Sequence, residues 1–375
     1  MPIGSPDRVT VGVPLERAGG ERRVALIPSD MRKLASKIAF LVESGAGRLA
    51  GFEDSAYAEA GARIATLREV LDSSGVLVKV RPPRLDEMPP AGRILISLLG
   101  PDPNVDESLR KRSIVHLALE RMPRTTRAQA MDVLSSQASI AGYVSVLEGA
   151  RALGVLLPML TTAAGTIKPA KMIALGAGVA GLQAIATARR LGAVVHGFDV
   201  RAAAREQVES LGARFISVGA EVSAAEPGGG YAREQSRDQQ ARLRRALSAH
   251  LATMRLVITT AQVPGRPAPL LIDRETLGMM SPGSVIIDLA AETGGNCEVT
   301  QPDATILFNG VSVMGPTNLA SLVATDASRL FSGNIRSLLA HLLEGTDRLN
   351  LGASDPIIRA LLGAQNAERA SVAAA

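Results

Sequence analysis

Two stretches of alternating apolar-strand and helix patterns, joined by a long helical segment, predict an α/β protein with two parallel-sheet domains. A glycine-rich turn between a strand and a helix marks the second stretch as a nucleotide-binding sheet. At 375 residues the chain is long enough for two domains, and 46% hydrophobic residues supply a core for each. Only 2% of residues are aromatic and none is Trp, so those cores must be built from Ala, Val, Leu and Ile.

In the first stretch, residues 9–14 read as a short strand and 29–44 as a helix followed by a strand. Residues 57–62 and 67–73 carry helical patterns, and 75–80 and 93–98 read as strands. Residues 106–111 and 114–119 repeat the alternation, helix then strand. This rhythm gives a first, Rossmann-like sheet without a glycine fingerprint. Residues 127–153 form a helical pattern broken only by Gly142 and Gly149, which carries the chain into the second domain. Strands there fall at 172–175, 194–198, 214–218, 256–259, 284–288, 305–308 and 311–314. An Ala/Pro/Gly-rich loop at 221–230 leads into a charged helix within 231–250, and Pro264-Gly265 and Pro282-Gly283 mark turns. Residues 318–343 are helical again and return the chain to the first domain; the tail after Gly345 is Ala-rich and weakly patterned. The expected architecture is two Rossmann-like parallel-sheet domains with a cleft between them. Residues 1–135 with 325–375 make one, and 136–324 the other.

Gly176, Gly178 and Gly181 form a G-x-G-x-x-G turn after the buried strand 172–175 and open a helix over 182–191. The first glycine permits the tight turn, the second lets the backbone approach a pyrophosphate, and the third lets helix and strand pack closely. Val179 and Ala180 lie within the turn, where the helix N-terminus offers unpaired N–H groups. Asp199 ends the next strand, 18 residues beyond Gly181, where a carboxylate accepts adenosine ribose hydroxyls. An acid there favours NAD(H) over NADP(H), because a 2′-phosphate would meet a like charge. Arg201, two residues on past Val200, tempers that preference.

The net charge of +5 comes mainly from Arg, and no Lys/Arg block interleaves with aromatics, which argues against a dedicated nucleic-acid binder. A single cysteine, Cys297, excludes an internal disulfide and a Cys-based zinc site, and it reads as a loop thiol. His116, His196, His250 and His341 show no metal-ligand spacing and no accompanying carboxylate or nucleophile, so structural roles and no metal site are expected. The uncharged stretch 152–167 contains Pro158 and falls short of the ~20 residues that span a bilayer. No signal peptide or transmembrane helix is expected, and membrane association would need a partner. The densest polar cluster outside the fingerprint is residues 123–136, with Arg124, Gln129, Asp132 and Ser135. The last three recur every three residues and would lie near one face of a helix. They read either as a capped, exposed helix start or as a patch that holds a nicotinamide carboxamide.

These residues resemble the soluble NAD(H)-binding component of proton-translocating nicotinamide nucleotide transhydrogenase, within the alanine dehydrogenase/transhydrogenase superfamily. The matching segments include PLERAGGERRVALIP (14–28), VESGAGRL (42–49), MPRTTRAQAMDVLSSQASIAGY (122–143) and residues 171–212. Further on come 229–232, TTAQVPGRPAPLL (259–271), SPGSVIIDLAAETGGNCE (281–298) and NLASLVATDASRLF (318–331). The similarity runs from about residue 9 to 343. It implies that NADH binds the second domain through Gly176, Gly178, Val179, Ala180, Gly181, Asp199, Val200 and Arg201, with Gly229, Thr260 and Ala261 in the same set. Arg124, Asp132 and Ser135 match residues that hold the nicotinamide end, Gln129 one that reaches the second nucleotide, and Tyr231 the tyrosine of a mobile loop. The catalytic set is then Arg124, Gln129, Asp132, Ser135 and Tyr231, acting by positioning rather than proton transfer. NADP(H) would sit on a separate beta subunit. The resemblance also implies a homodimer, peripheral on the inner face of the cell membrane through membrane-embedded partner subunits.

Alanine dehydrogenase is the competing reading. Its arginine is matched by Arg23, but Arg81 stands at its lysine position and Gly100 at its histidine position. An arginine charged at all relevant pH values cannot take over proton transfer. Amino-acid oxidation needs such a group, whereas hydride transfer between two nicotinamides does not. A third reading, a non-catalytic NAD(H)-binding module, shares the fingerprint. Two departures from the family pattern are Leu322, where an arginine is expected, and Pro316, in place of a polar residue.

Overall fold

The computed structural model describes residues 8–100, 104–218, 237–263, 266–344, 349–352 and 354–363. Gly229, Tyr231, the 221–230 loop and the Pro264-Gly265 turn lie outside the described residues. The chain divides into two compact units, Met1–Gln137 with Ala320–Ala375, and Ala138–Leu319.

The first unit opens with β1 (Val9–Val13), α1 (Pro28–Leu34), β2 (Ile38–Glu43), α2 (Asp54–Glu59), β3 (Arg63–Ala65) and α3 (Leu67–Ser73). β4 (Val76–Val78), β5 (Ile94–Ser97), α4 (Val105–Lys111) and β6 (Val115–Ala118) follow. The six strands form a parallel sheet in the order β3-β2-β1-β4-β5-β6. β3 has no counterpart in the sequence pattern, because three residues are too few to show a period. Every residue of β4 is buried, the continuous apolar run of a parallel strand covered on both faces.

The helical pattern at 127–153 is not one helix. Gln129–Met131 is a 3-10 turn, and α5 (Val133–Ala152) starts only after Asp132, whose backbone is extended at φ −79°, ψ 92°. The Asp132 carboxylate accepts the Ser135 backbone N–H at 3.0 Å and its hydroxyl at 2.6 Å, so the side chain caps α5 and the helix cannot extend back through it. Gln129 therefore does not share a helix face with Asp132 and Ser135.

The second unit contains an exposed hairpin, β7 (Leu160–Thr162) and β8 (Gly165–Ile167), in the uncharged stretch that shows no strand period. Its main sheet is built from β9 (Lys171–Leu175), β10 (Val194–Phe198), β11 (Arg214–Phe215), β12 (Leu256–Thr259), β13 (Val285–Asp288), β14 (Thr305–Phe308) and β15 (Val311–Met314). α6 (Val179–Arg190), α7 (Ala204–Ser210), α8 (Arg237–Leu251) and α9 (Arg274–Met279) connect them. The strand order is β11-β10-β9-β12-β13-β15-β14, parallel except for β14 against β15. That pair is antiparallel because Asn309-Gly310, both at positive φ, close a two-residue hairpin turn. β11 is shorter than the expected 214–218: the chain leaves the sheet after Ile216, whose N–H bonds to Gly197 O at 2.8 Å.

A 3-10 turn, Leu319–Val323, then leads into α10 (Ala324–Leu342), which belongs to the first unit. Its buried Phe331, Ile335, Leu338, Leu339 and Leu342 recur at helical spacing and join the core of the first sheet. α11 (Pro356–Leu362), capped by Asp355, adds Ile357, Ile358, Leu361 and Leu362 to that core, so the weakly patterned tail contributes a buried helix.

Candidate functional site

In the second unit the strand order reverses between β9 and β12, the place where doubly wound sheets bind ligands at their carboxyl edge. The fingerprint lies there. Gly176 sits at φ 103°, which L side chains rarely adopt, and a Cβ on it would fall 2.5 Å from Thr260 Oγ1. A Cβ on Gly181 would fall 1.8 Å from the Gly176 carbonyl oxygen, so only glycine lets α6 approach the turn. Gly178 has open space around its Cβ position and leads into α6 with no side-chain cap, leaving first-turn N–H groups to a ligand. Val179, the first helical residue, is exposed. These features fit a dinucleotide pyrophosphate: an open backbone surface at the positive end of a helix.

Asp199, just past β10, is tied into the turn. Its carboxylate accepts the Ala177 N–H at 2.7 Å, the Arg201 N–H at 2.9 Å, and a two-point contact from the Arg201 guanidinium. On the other side of the switch point, Thr260 donates its N–H to Leu175 O at 2.8 Å and its hydroxyl to Gly176 O at 3.0 Å. Thus Gly176, Gly181, Asp199, Arg201 and Thr260 are brought together, with Val200 between two of them.

Two residues that sequence reasoning missed hold this edge in place. Asn296 accepts the Ala261 N–H at 3.0 Å and donates to Ala261 O and Pro269 O at 2.8 Å. Asp288, fully buried at the end of β13, accepts from Thr259 Oγ1, Thr300 Oγ1 and the backbone N–H groups of Ala290, Asn296 and Cys297. The available signal was an acid ending an apolar run, followed by Gly-Gly-Asn. Cys297 is buried, and burial pushes its thiol up to about 11, so it is inert at neutral pH.

In the first unit, Arg124 and Gln129 are exposed, while Asp132 and Ser135 are half-buried and bonded to each other. The start of α5 is anchored on both sides. Ser136 donates to Asn334 at 2.7 Å, and Gln137 donates to Ala327 O at 3.1 Å and accepts from Arg23 at 2.9 Å. Arg23 also makes a buried ion pair with Glu21 at 2.7 Å, and Arg81 contacts the same carboxylate at 3.4 Å. Burial alone would raise the Glu21 carboxyl; hydrogen bonds and charge from Arg23, with help from Arg81, overcome that and hold it at about 2. Gly100 occupies φ 72°, with its N–H directed to Glu120.

His116 corrects the sequence reading, since it does have companions. Its Nε2 lies 3.1 Å from Ser97 Oγ and its Nδ1 2.8 Å from Asp106. Ser97 and His116 are both fully buried, and Ser97 is also bonded to Leu98 O, so the trio is structural rather than an accessible nucleophile. Leu322 is half-exposed, on the 3-10 turn before α10.

Residues 12–141 match the alanine dehydrogenase/PNT N-terminal domain, and residues 145–370 match the alanine dehydrogenase/PNT C-terminal domain. The chain is 45% identical to the first of the two-piece NAD(P) transhydrogenase alpha subunits of Rhodospirillum rubrum over 361 residues, 93% of this chain and 94% of that one. Among solved structures it is similar to a transhydrogenase from Sinorhizobium meliloti, with TM-score 0.80 and 40% identity, covering 89% of this chain and 94% of the other. An L-alanine dehydrogenase is also similar, with TM-score 0.73 and 26% identity, covering 95% of this chain and 100% of the other. The chain belongs to the alanine dehydrogenase/PNT family.

Proposed function

We propose that this chain is the NAD(H)-binding component of a proton-translocating transhydrogenase, an oxidoreductase that is active only with its partners. The observation that carries the reading is a complete dinucleotide turn in a chain with Arg81 and Gly100 at the two positions where an amino-acid dehydrogenase keeps proton-transferring groups. The higher identity to the transhydrogenase relative than to L-alanine dehydrogenase supports it.

When bound, NADH supplies the hydride from its nicotinamide ring. Gly176, Gly178 and the first turn of α6 bind the pyrophosphate, and Asp199 the adenosine ribose. Arg124, Asp132 and Ser135 orient the nicotinamide end, Gln129 reaches the second nucleotide, and Tyr231, with Gly229, closes over the site. The acceptor, NADP⁺, is held by a beta subunit. Two copies of this chain associate, and membrane-embedded partners hold them at the inner face of the cell membrane and carry the protons. Among the described residues no helix is long and apolar enough to cross a membrane.

Purified chain is expected to bind NADH, to oxidise none of it with pyruvate and ammonia, and to regain NADH-to-NADP⁺ transfer when the NADP-binding partner is added. Robust pyruvate- and ammonia-dependent NADH oxidation by the isolated chain would overturn the reading in favour of alanine dehydrogenase. Arg23, shared with that enzyme, is what keeps the alternative worth testing.

A further inference from the structure

The Asp199 carboxylate has all its acceptor capacity in use. Oδ2 accepts the Ala177 N–H at 2.7 Å and Arg201 Nη2 at 2.9 Å; Oδ1 accepts the Arg201 backbone N–H and Nε, both at 2.9 Å. An ionised carboxylate offers about four lone-pair directions, and these four bonds fill them. Two of the donors are backbone groups fixed by the turn, where the Gly176 N–H bonds to Phe198 O at 2.8 Å. The other two belong to one side chain, the Arg201 guanidinium, which also reaches Ala177 O at 3.3 Å. The side chains of Arg201 and Asp199 are only 20% and 7% exposed, so the pair is partly shielded from competing water.

A ribose hydroxyl can donate to Asp199 only if one of these donors leaves, and the side chain is the one free to swing away. We propose that Arg201 is a built-in competitor at the adenosine-ribose subsite: its guanidinium occupies the Asp199 oxygens that NAD(H) requires, and nucleotide binding displaces it. The inference rests on the reading of the second unit as the NAD(H) site, and it changes the role of Arg201 from ligand to gate. The apparent affinity for NADH is then the intrinsic affinity scaled by the fraction of molecules in which Arg201 has left Asp199. The same residue also sets selectivity. A 2′-phosphate meets the repulsion of Asp199, and Arg201 is the cation beside it that offsets part of that repulsion. Arg201 thus weakens NADH binding and softens discrimination against NADPH at once.

Isothermal titration of the purified chain with NADH and with NADPH tests this, using wild type, Arg201→Ala, Arg201→Lys and Asp199→Ala, each checked for an unchanged thermal midpoint. Arg201→Ala is expected to tighten NADH binding about tenfold, or about 1.4 kcal/mol, and to weaken NADPH binding. Arg201→Lys, with a point charge in place of the planar fork, is expected to move NADH affinity the same way by less. Unchanged or weaker NADH binding in both arginine variants overturns the competitor role. If instead Asp199→Ala binds NADH as wild type does, the reading of the site itself fails, whatever the arginine variants show.

Discussion

Asp132 shows how one carboxylate combines structure with the proposed chemistry. It caps α5 through the Ser135 N–H and hydroxyl, and the same two side chains are those proposed to orient the nicotinamide. Asn is as good a cap as Asp, so Asp132→Asn keeps the helix start while removing the charge. Hydride transfer at saturating NADH, measured with the partner subunit present, is expected to fall by about tenfold or more, about 1.4 kcal/mol of activation free energy, with a much smaller change in NADH affinity. Collapse of affinity with turnover intact would remove Asp132 from ring orientation, and wild-type behaviour would favour a non-catalytic binding module. Residues whose chemistry is local were legible in the sequence. Gly176, Gly178, Gly181 and Asp199 announce a turn because neighbours along the chain make it. Asp288 and Asn296 were not legible, because each acts across space on loops far away in sequence, and a lone Asp or Asn after a strand has many ordinary uses. The spacing of Gln129, Asp132 and Ser135 misled for a related reason: period three suggests a helix face, but a capping side chain ends the helix that the period assumes.

Elements were legible in proportion to their length. The buried strands β9, β12 and β13 read as apolar runs of four or five residues, and the structure keeps them within a residue of expectation. β3 and the β7–β8 hairpin, three residues per strand, fell below what periodicity can resolve. Helix contacts obey the same close-packing rule as the turn. Where α5 crosses the start of α6, a Cβ on Gly142 would lie 2.1 Å from the Ala180 carbonyl oxygen, which is backbone and cannot rotate away. Gly142→Ala is therefore expected to cost about 1–3 kcal/mol by overpacking and to shift the first turn of α6, lowering the thermal midpoint and NADH affinity together. A midpoint equal to wild type would show that the contact is softer than this packing implies. By contrast Gly178→Ala, with nothing within 4 Å of its Cβ position, serves as the control for stability.

Across the molecule, two sheets place their first five strands in the same 3-2-1-4-5 order, yet only one carries a glycine turn. In the first unit the corresponding reversal, between β1 and β4, is filled by the chain's own charges. Lys79 pairs with Glu16 at 3.5 Å and with Glu87 at 3.4 Å, and Arg17 pairs with Glu43 and Glu87. A parallel sheet was readable from the strand and helix rhythm, but which sheet had its crevice closed from within was not, because those ion pairs join residues up to seventy positions apart. One nucleotide turn, Arg81 and Gly100 in place of proton carriers, and polar groups at the start of α5 together describe the donor half of a hydride relay. The most direct test follows a label. With NADH deuterated at the transferable C4 position, NADP⁺, and the assembled partner subunits, mass spectrometry is expected to find the deuterium in NADPH without loss to water. Deuterium appearing in alanine when pyruvate and ammonia are supplied to this chain alone, with none reaching NADPH in the assembly, would contradict the transhydrogenase reading.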